Sequence, residues 1–292
     1  MTNTHEGDRG SAHPGGSVPQ RRSVAVIGTN DLGVSIAHCL MKWPGGLTVY
    51  DANGSGYGAL AGDGITVAAT LTEALEADIV SIVDLKASGV DDLFCDLGRH
   101  LRPGTILAVH ATVSESTITE AAHDLLRWGV HLVDAPVSGS PTAALMGELA
   151  VMIGATPEVF TILETPFSQW ASLVVHAGAT GMGCRMKLAE SLWTFTRLEA
   201  AQEVQRLAMA GGVDGDALAD LMGLDTALDA FTTAAAAAAE ARSLLPDAES
   251  GLGLGAQASI DMPITEQATN SVRDGDDPAS ASPPEAAGPE DA

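Results

Sequence analysis

The chain has 292 residues, enough for one large and one smaller domain, and 46% of them are hydrophobic. Its 38 acidic and 14 basic residues give a formal charge of −24, which argues against nucleic acid and anionic membranes as partners. The three cysteines are too widely spaced for a disulfide framework or a zinc motif, and no apolar stretch would span a bilayer, so we expect a cytoplasmic protein.

Both ends of the chain are polar. Residues 1–22 contain Gly, Pro and Ser and lack the apolar core of a secretory signal, and residues 273–292 collect acidic residues among Pro, Ala and Ser. Neither end can bury a core, so we expect both to be disordered. Between them we expect a sheet-containing domain at residues 23–177 and a helical domain at residues 178–272.

Short apolar runs alternate with helical patterns in the first domain. Strands are predicted at 24–27, 47–50, 79–83, 105–109, 130–133, 149–153 and 173–176. Helices are predicted from Leu32, over residues 90–100, from Thr117 with Glu120 as its capping box to about residue 128, and from Pro157. This alternation predicts an α/β fold with a parallel, Rossmann-like sheet.

The second domain is predicted to be all-α. Neither Gly nor Pro interrupts residues 184–210, where Met186, Leu188, Leu192 and Trp193 begin an apolar pattern suited to one long helix. An alanine-rich stretch follows, including six consecutive alanines at 234–239. One small domain does not cover all of this apolar surface, so we expect a homodimer or homotetramer.

The segment Gly28-Thr29-Asn30-Asp31-Leu32-Gly33 joins the first strand to the first helix. It matches the G-x-G-x-x-G dinucleotide motif at the first and third glycines, which form the tight turn and let helix and strand pack closely. Asn30 replaces the second glycine, and we expect it in a left-handed conformation, with a side chain that crowds the phosphate. The predicted cofactor-binding residues of this turn are Gly28, Asn30, Leu32 and Gly33.

Asp51 follows the second predicted strand, 18 residues beyond Gly33. An acid at this position accepts hydrogen bonds from the ribose hydroxyls of NAD, whereas it repels the 2′-phosphate of NADP. Neither Arg nor Lys occurs within residues 52–58 to offset that repulsion. Asp51 therefore predicts NAD rather than NADP, although a solvated turn at 51–54 is the alternative.

The run Asp134-Ala135-Pro136-Val137-Ser138-Gly139-Ser140, followed by Gly147-Glu148-Leu149, resembles the substrate-binding segment of the β-hydroxyacid dehydrogenases. That family contains 3-hydroxyisobutyrate dehydrogenase and is related to 6-phosphogluconate dehydrogenase. The resemblance implies that Ser138 and Gly139 bind the carboxylate of a small β-hydroxyacid. A hydroxyl with exposed N–H groups suits an anion, although a Ser-Gly-Ser turn without the resemblance is usually only a turn.

The run Gly181-Met182-Gly183-Cys184-Arg185-Met186-Lys187 resembles the family's entry into the interdomain helix, with its catalytic lysine. The resemblance makes Lys187 the general acid/base for hydride transfer at an alcohol, and it places Thr112 beside the nicotinamide ribose. A solvated lysine on a helix is the alternative. Only three lysines occur in the chain, and one lies where the family needs it.

Two segments depart from the family pattern. Glu190 and Ser191 stand where an amide pair is usual; Ser191 is predicted to contact substrate, but Glu190 adds a negative charge. Pro246-Asp247 replaces a Lys-Asp pair that faces the cleft. These changes leave two alternatives open: a less anionic substrate, such as an imine or a semialdehyde, or a catalytically weak NAD-binding protein. The histidines have no metal-binding spacing, and no metal is proposed.

Overall fold

The computed structural model describes residues 22–54, 60, 64–83, 94, 97–111, 113–139, 141–214, 217–218 and 234–274 of the chain. Most residues of the two predicted disordered ends therefore lie outside the described residues. Residues 273–274, which the sequence assigned to the acidic tail, end the last helix. Of the helix predicted at 90–100, residues 94 and 97–100 are described, and they are helical.

The described strands form one sheet. In chain order they are β1 (Val24–Ile27), β2 (Leu47–Tyr50), β3 (Ile65–Val67), β4 (Ile79–Ile82), β5 (Ile106–Val109), β6 (His131–Asp134), β7 (Val137–Ser138), β8 (Leu149–Gly154) and β9 (Ala171–Gly178). Their order across the sheet is β3-β2-β1-β4-β5-β6-β8-β7, with β9 paired to β8. β1 to β6 are parallel.

Not every strand follows the predicted parallel topology. β8 runs antiparallel to β6 and β7, and β9 is parallel to β8. The reason is that only residues 139–148 connect β7 to β8, which is shorter than the crossover of about a dozen residues or more that a parallel connection requires. The sheet is therefore mostly parallel, and β8 is antiparallel to its neighbours β6 and β7 at the end that carries the predicted substrate loop.

The described helices are α1 (Asp31–Leu40), α2 (Leu71–Ala74), α3 (Glu115–Leu126), α4 (Pro141–Met146), α5 (Pro157–Phe167), α6 (Met182–Ala210), α7 (Ala234–Gln257) and α8 (Pro263–Asp274). Pro157 opens α5 as predicted. The capping prediction for α3 was wrong: Ser114 is its N-cap and accepts a hydrogen bond from the N–H of Thr117. Ser114 caps the helix without the Glu or Gln of a capping box, because a serine hydroxyl alone can accept the N–H three residues on.

The core of the sheet region lies on both faces of the sheet. Along β5, Ile106 and Ala108 face one apolar cluster, whereas Leu107 and Val109 face the other. All four side chains are at most 1% exposed, as expected for a continuous apolar run in a parallel sheet. Apolar helix faces cover both sides, so the loops at the ends of the strands rest on a rigid support.

The C-terminal helices pack around a smaller cluster of their own. It contains Phe195, Leu198, Ala241, Ala248, Ala268 and Val272, from α6, α7 and α8. The predicted long helix is present, but its apolar residues are divided: Leu188 and Leu192 are half-buried, Leu192 against this cluster, whereas Met186 is 36% and Trp193 is 63% exposed. The helix buries Gly183, Ser191, Phe195 and Leu198 instead.

Candidate active site

The β1–α1 turn has the geometry that the first and third glycines of the motif predict. Gly28 has φ +96°, a conformation that glycine adopts without strain. A Cβ on Gly33 would lie 1.9 Å from the carbonyl oxygen of Gly28, so only glycine fits there. Leu32 packs half-buried against the core beneath the turn.

Asn30 does not adopt the expected left-handed conformation. Its φ of −67° and ψ of 177° are ordinary extended values, because Asn30 is the N-cap of α1. Its side-chain oxygen accepts a hydrogen bond of 2.9 Å from the N–H of Gly33. The amide is thus engaged within the turn, in the role that a cap residue usually plays.

Asp51, at the end of β2, organises the same turn. Its Oδ2 accepts hydrogen bonds from the N–H of Thr29 at 2.8 Å and from the hydroxyl of Thr29 at 2.6 Å. Its Oδ1 accepts from the N–H groups of Asn53 and Gly54. The Thr29 hydroxyl, more than the other contacts, lowers the pKa of the Asp51 carboxyl. Asp51 is therefore a fixed anion beside the turn.

The buried carboxylate of Asp134, at the end of β6, holds the start of α6. Oδ1 accepts a hydrogen bond from the N–H of Gly181 and Oδ2 one from the N–H of Cys184, both at 2.7 Å. Burial raises the pKa of the Asp134 carboxyl, although these N–H groups act in the opposite direction. A Cβ on Gly154 or Gly183 would lie 2.2 or 2.8 Å from this carboxylate, so glycine is required at both positions.

Lys187 lies one turn further along α6, and its ammonium group meets a carboxylate. Nζ donates a hydrogen bond of 2.6 Å to Oε2 of Glu190, and the Lys187 side chain is only 19% exposed. Oε1 of Glu190 accepts from the hydroxyls of Ser138 at 3.1 Å and Thr194 at 3.3 Å. Glu190 therefore connects the predicted catalytic lysine to the predicted substrate serine.

A cavity of about 680 Å³ lies beside Lys187, between the start of α3, the start of α6 and the C-terminal half of α7. Arg185 and Glu115, which line it, form a bidentate ion pair: Nε of Arg185 donates to Oε2 of Glu115 at 2.8 Å and Nη2 donates to Oε1 at 3.1 Å. Asp247 also lines it, next to Pro246, which stands where the family pattern has the lysine of a Lys-Asp pair. A small substrate fits this volume next to the lysine.

The parallel strands place these groups at one edge of the sheet. The carboxyl ends of β1, β2 and β6 carry the Gly28 turn, Asp51 and Asp134, and open α/β sheets bind their ligands outside this edge. Because Asp134 fixes the start of α6 there, Lys187 lies on the same side as the cofactor turn.

Comparison with known proteins identifies the architecture. The family model for the NAD-binding domain of 6-phosphogluconate dehydrogenase matches residues 23–178. An uncharacterized oxidoreductase of Mycobacterium tuberculosis is 39% identical over 270 residues, which cover 86% of this chain and 92% of that protein. This chain belongs to the β-hydroxyacid dehydrogenase family.

A further relative agrees with this assignment, and a solved structure shows the same fold. The NAD-dependent L-serine dehydrogenase of Pseudomonas aeruginosa is 27% identical over 205 residues, which cover 69% of each chain. The structure of Mycobacterium tuberculosis 3-hydroxyisobutyrate dehydrogenase with L-serine superposes with a TM-score of 0.73 at 20% identity, covering 87% of this chain and 93% of that one. The predicted family, α/β fold with a helical C-terminal region, NAD cofactor and assignment to the NAD-dependent dehydrogenases are confirmed.

The structure of this β-hydroxyacid dehydrogenase suits the cofactor at the β1–α1 turn. The absence of a Cβ at Gly33 and the positive φ of Gly28 keep the turn close to the start of α1. The fixed carboxylate of Asp51 lies at the end of the neighbouring strand, where a ribose is bound in this fold. These residues fit NAD.

The remaining predicted site residues are Ser138, Gly139, Ser191 and Thr112. Gly139 has φ +133°, and a Cβ there would lie 2.7 Å from the side chain of Leu149. Ser191 is 1% exposed, and its hydroxyl has no hydrogen-bond partner among the described residues. Ser138, Gly139 and Ser191 do not line the cavity beside Lys187 as far as its described lining shows. Thr112 lies outside the described residues.

Sequence reasoning missed three parts of this site. The Thr29 hydroxyl on Asp51 lies within the motif but at a position that the motif leaves unspecified. Asp134 opens the substrate run, and the glycines at 154 and 183 that accommodate it are a weak signal visible only in retrospect. Glu190 was noted for its charge alone, since its contact with Ser138 joins residues 52 positions apart.

Two other groups are structural. His110 is buried beneath the site, where burial lowers its pKa to about 4. Burial, then the Asp134 carboxylate, raises the pKa of the Cys184 thiol to about 12, so it is not a thiolate nucleophile at neutral pH. In the part of the chain that the structure describes, no three His, Cys, Asp or Glu residues group as metal ligands, and no helix suits a membrane span.

Proposed function

We propose that this enzyme transfers a hydride between NAD and the hydroxyl-bearing carbon of a small β-hydroxy compound, with Lys187 as general acid/base. The β-hydroxyacids that the family resemblance implies, such as 3-hydroxyisobutyrate, are the first candidates. The observation that carries this proposal is the position of Lys187. It lines a cavity of about 680 Å³ at the cofactor edge of the sheet and connects to Ser138 through Glu190.

Each residue has a stated role in this proposal. Gly28, Asn30, Leu32 and Gly33 form the turn that binds the pyrophosphate, and Asp51 binds the adenosine ribose. For Thr112, outside the described residues, the family resemblance implies a place beside the nicotinamide ribose. When bound, NAD would accept the hydride during oxidation, and NADH would donate it during reduction. Lys187 removes the hydroxyl proton during oxidation and returns it during reduction.

The substrate's polar end is proposed to lie at the β7 loop. Ser138 and Gly139 offer a hydroxyl and backbone N–H groups there. Ser191 is kept as a further candidate contact, because its buried hydroxyl has no partner among the described residues and buried polar groups are normally satisfied. Ser191 lies one helical turn beyond Lys187, so the two share a face of α6.

A second candidate function is favoured by the Glu190 contact. A carboxylate 2.6 Å from Nζ holds Lys187 in an ion pair. That arrangement suits a less anionic substrate, an imine or a semialdehyde, or a protein that binds NAD with weak turnover.

Absorbance at 340 nm tests the proposal. NAD and NADP are each supplied with a panel of short β-hydroxyacids, their amides and the corresponding semialdehydes. NAD-dependent turnover of at least one β-hydroxy compound supports the proposal. Turnover of none of them, with NAD binding retained in calorimetry, contradicts it and favours the weak-turnover candidate.

We also propose a cytoplasmic homodimer or homotetramer. Leu207 and Met209 near the end of α6 are 76% and 58% exposed, and Trp193 is 63% exposed. A second copy of the chain would cover such apolar surface. Light scattering coupled to size exclusion measures the mass, and a monomer at micromolar concentration would contradict the proposal.

A further inference from the structure

The carboxylate of Glu190 accepts hydrogen bonds from the two polar groups on which the proposed function depends. Its two oxygens accept from Lys187 Nζ at 2.6 Å and from the Ser138 hydroxyl at 3.1 Å. These are the proton-transfer group and the group assigned to the substrate's polar end. Glu190 thus stands where a carboxylate substrate would make its own contacts.

Among the described residues that line the cavity beside Lys187, each cation is already paired with an acidic side chain. Arg185 and Lys187 are the cations among its described lining residues, and each is paired with a carboxylate, Glu115 or Glu190. Asp247 on the same wall has no ion pair with any described residue. Ser138 does not line this cavity, but its hydroxyl lies 3.1 Å from Oε1 of Glu190. A substrate carboxylate bound at Ser138 would therefore lie close to a second carboxylate, and like charges at such short range repel strongly.

The hydrogen-bonding chemistry indicates which group fits instead. An ionised carboxylate only accepts hydrogen bonds, so a substrate group beside Glu190 must donate. A primary amide donates its N–H to Glu190 and accepts from the Ser138 hydroxyl with its oxygen. A hydroxyl group can do the same. An ester is uncharged but donates nothing.

We infer that Glu190 is a specificity-determining residue that excludes carboxylate substrates and selects an uncharged β-hydroxy compound bearing an N–H or O–H donor. This inference rests on the proposed function, because it assumes that the substrate lies at Lys187 and Ser138. The inferred substrate carries an amide or hydroxyl group at the position where the resemblance implies a carboxylate.

Binding measurements with a matched series test the inference. Calorimetry measures the dissociation constants of 3-hydroxyisobutyrate, its primary amide and its methyl ester for the protein saturated with NADH, so that the alcohols bind without being oxidised. Wild type should bind the amide about tenfold or more tighter than the acid, with the ester between them. Glu190→Gln keeps the side-chain length but removes the charge, and should bring acid and amide to within about threefold, mainly by tighter binding of the acid.

Glu203→Gln is the control, because Glu203 is exposed on the same helix. It should leave the wild-type order unchanged. Equal binding of acid and amide by wild type overturns the inference, and this result needs no variant to fold. The inference is also overturned if Glu190→Gln leaves the ratio unchanged, or if none of the three compounds binds. NADH formation from the same compounds with NAD is scored separately: its absence contradicts the proposed function, whereas the binding ratio decides the role of Glu190.

Discussion

Acidification should destabilise this protein through His110. The side chain is buried, with Nδ1–H donating to the carbonyl of Ala135 at 2.8 Å and Nε2 accepting from the Ser81 hydroxyl at 3.1 Å. The rings of Phe167 and Trp170 lie 5.4 Å from the imidazole. These surroundings hold the imidazole neutral, with a pKa lowered to about 4 by burial.

The sign and the size of the effect follow from proton binding. Between pH 6.5 and 4 the unfolded chain binds a proton at this histidine and the folded chain does not, so stability falls as the pH falls. Above pH 6.5 the full contribution of His110 to the free energy of unfolding is present. Roughly 2 kcal/mol of this free energy is lost by pH 5 and roughly 3 kcal/mol by pH 4.

Urea unfolding at a series of pH values from 7.5 to 4.5 measures this effect. His110→Gln removes the titrating group but keeps a donor and an acceptor, so its free energy of unfolding should fall less steeply below pH 6.5 than that of wild type. His131→Gln, at an exposed position on β6, is the control and should follow wild type. Parallel curves for wild type and His110→Gln would refute the reasoning.

Three further substitutions test the cofactor turn and the start of α6. Gly33→Ala places a Cβ 1.9 Å from the Gly28 carbonyl and should weaken NAD binding about tenfold or more in calorimetry; wild-type affinity would contradict the assigned turn. Asp51→Ser should lower the NAD-to-NADP affinity ratio on the order of tenfold by removing the charge that repels a 2′-phosphate, and an unchanged ratio would contradict that role. Gly183→Ala should cost about 1–3 kcal/mol in thermal or urea unfolding because its Cβ meets a carbonyl oxygen at 2.5 Å, whereas Gly253→Ala, with nothing within 4 Å, should be neutral or stabilising.

The predictions that the structure confirms rest on short-range patterns. β1 and β2 were predicted at their observed bounds because apolar runs bounded by Gly, Pro and Asp leave few alternatives. The β1–α1 turn followed from glycine spacing. β3 and α2 were missed, since the three residues of β3 are mostly exposed and the four-residue α2 is too short to show periodicity.

The unpredicted features depend on residues that are distant in sequence. The face that α6 buries is set by packing against α7 and α8, so the apolar residue Trp193 ends exposed while Ser191 is buried. The antiparallel β8 depends on a short connection, not on its own residues. Glu190 and Asp134 acquire their roles only where the chain brings α6 against β6 and β7.

The proton-transfer role of Lys187 is tested most directly by comparing Lys187→Ala with Lys42→Ala, an exposed lysine outside the site. With NAD and the best β-hydroxy substrate of the panel, kcat of Lys187→Ala should fall about 10²–10⁴-fold while the dissociation constant of NAD stays unchanged. Lys42→Ala should keep wild-type kcat. Wild-type turnover by Lys187→Ala would contradict the assignment of Lys187 as the acid/base.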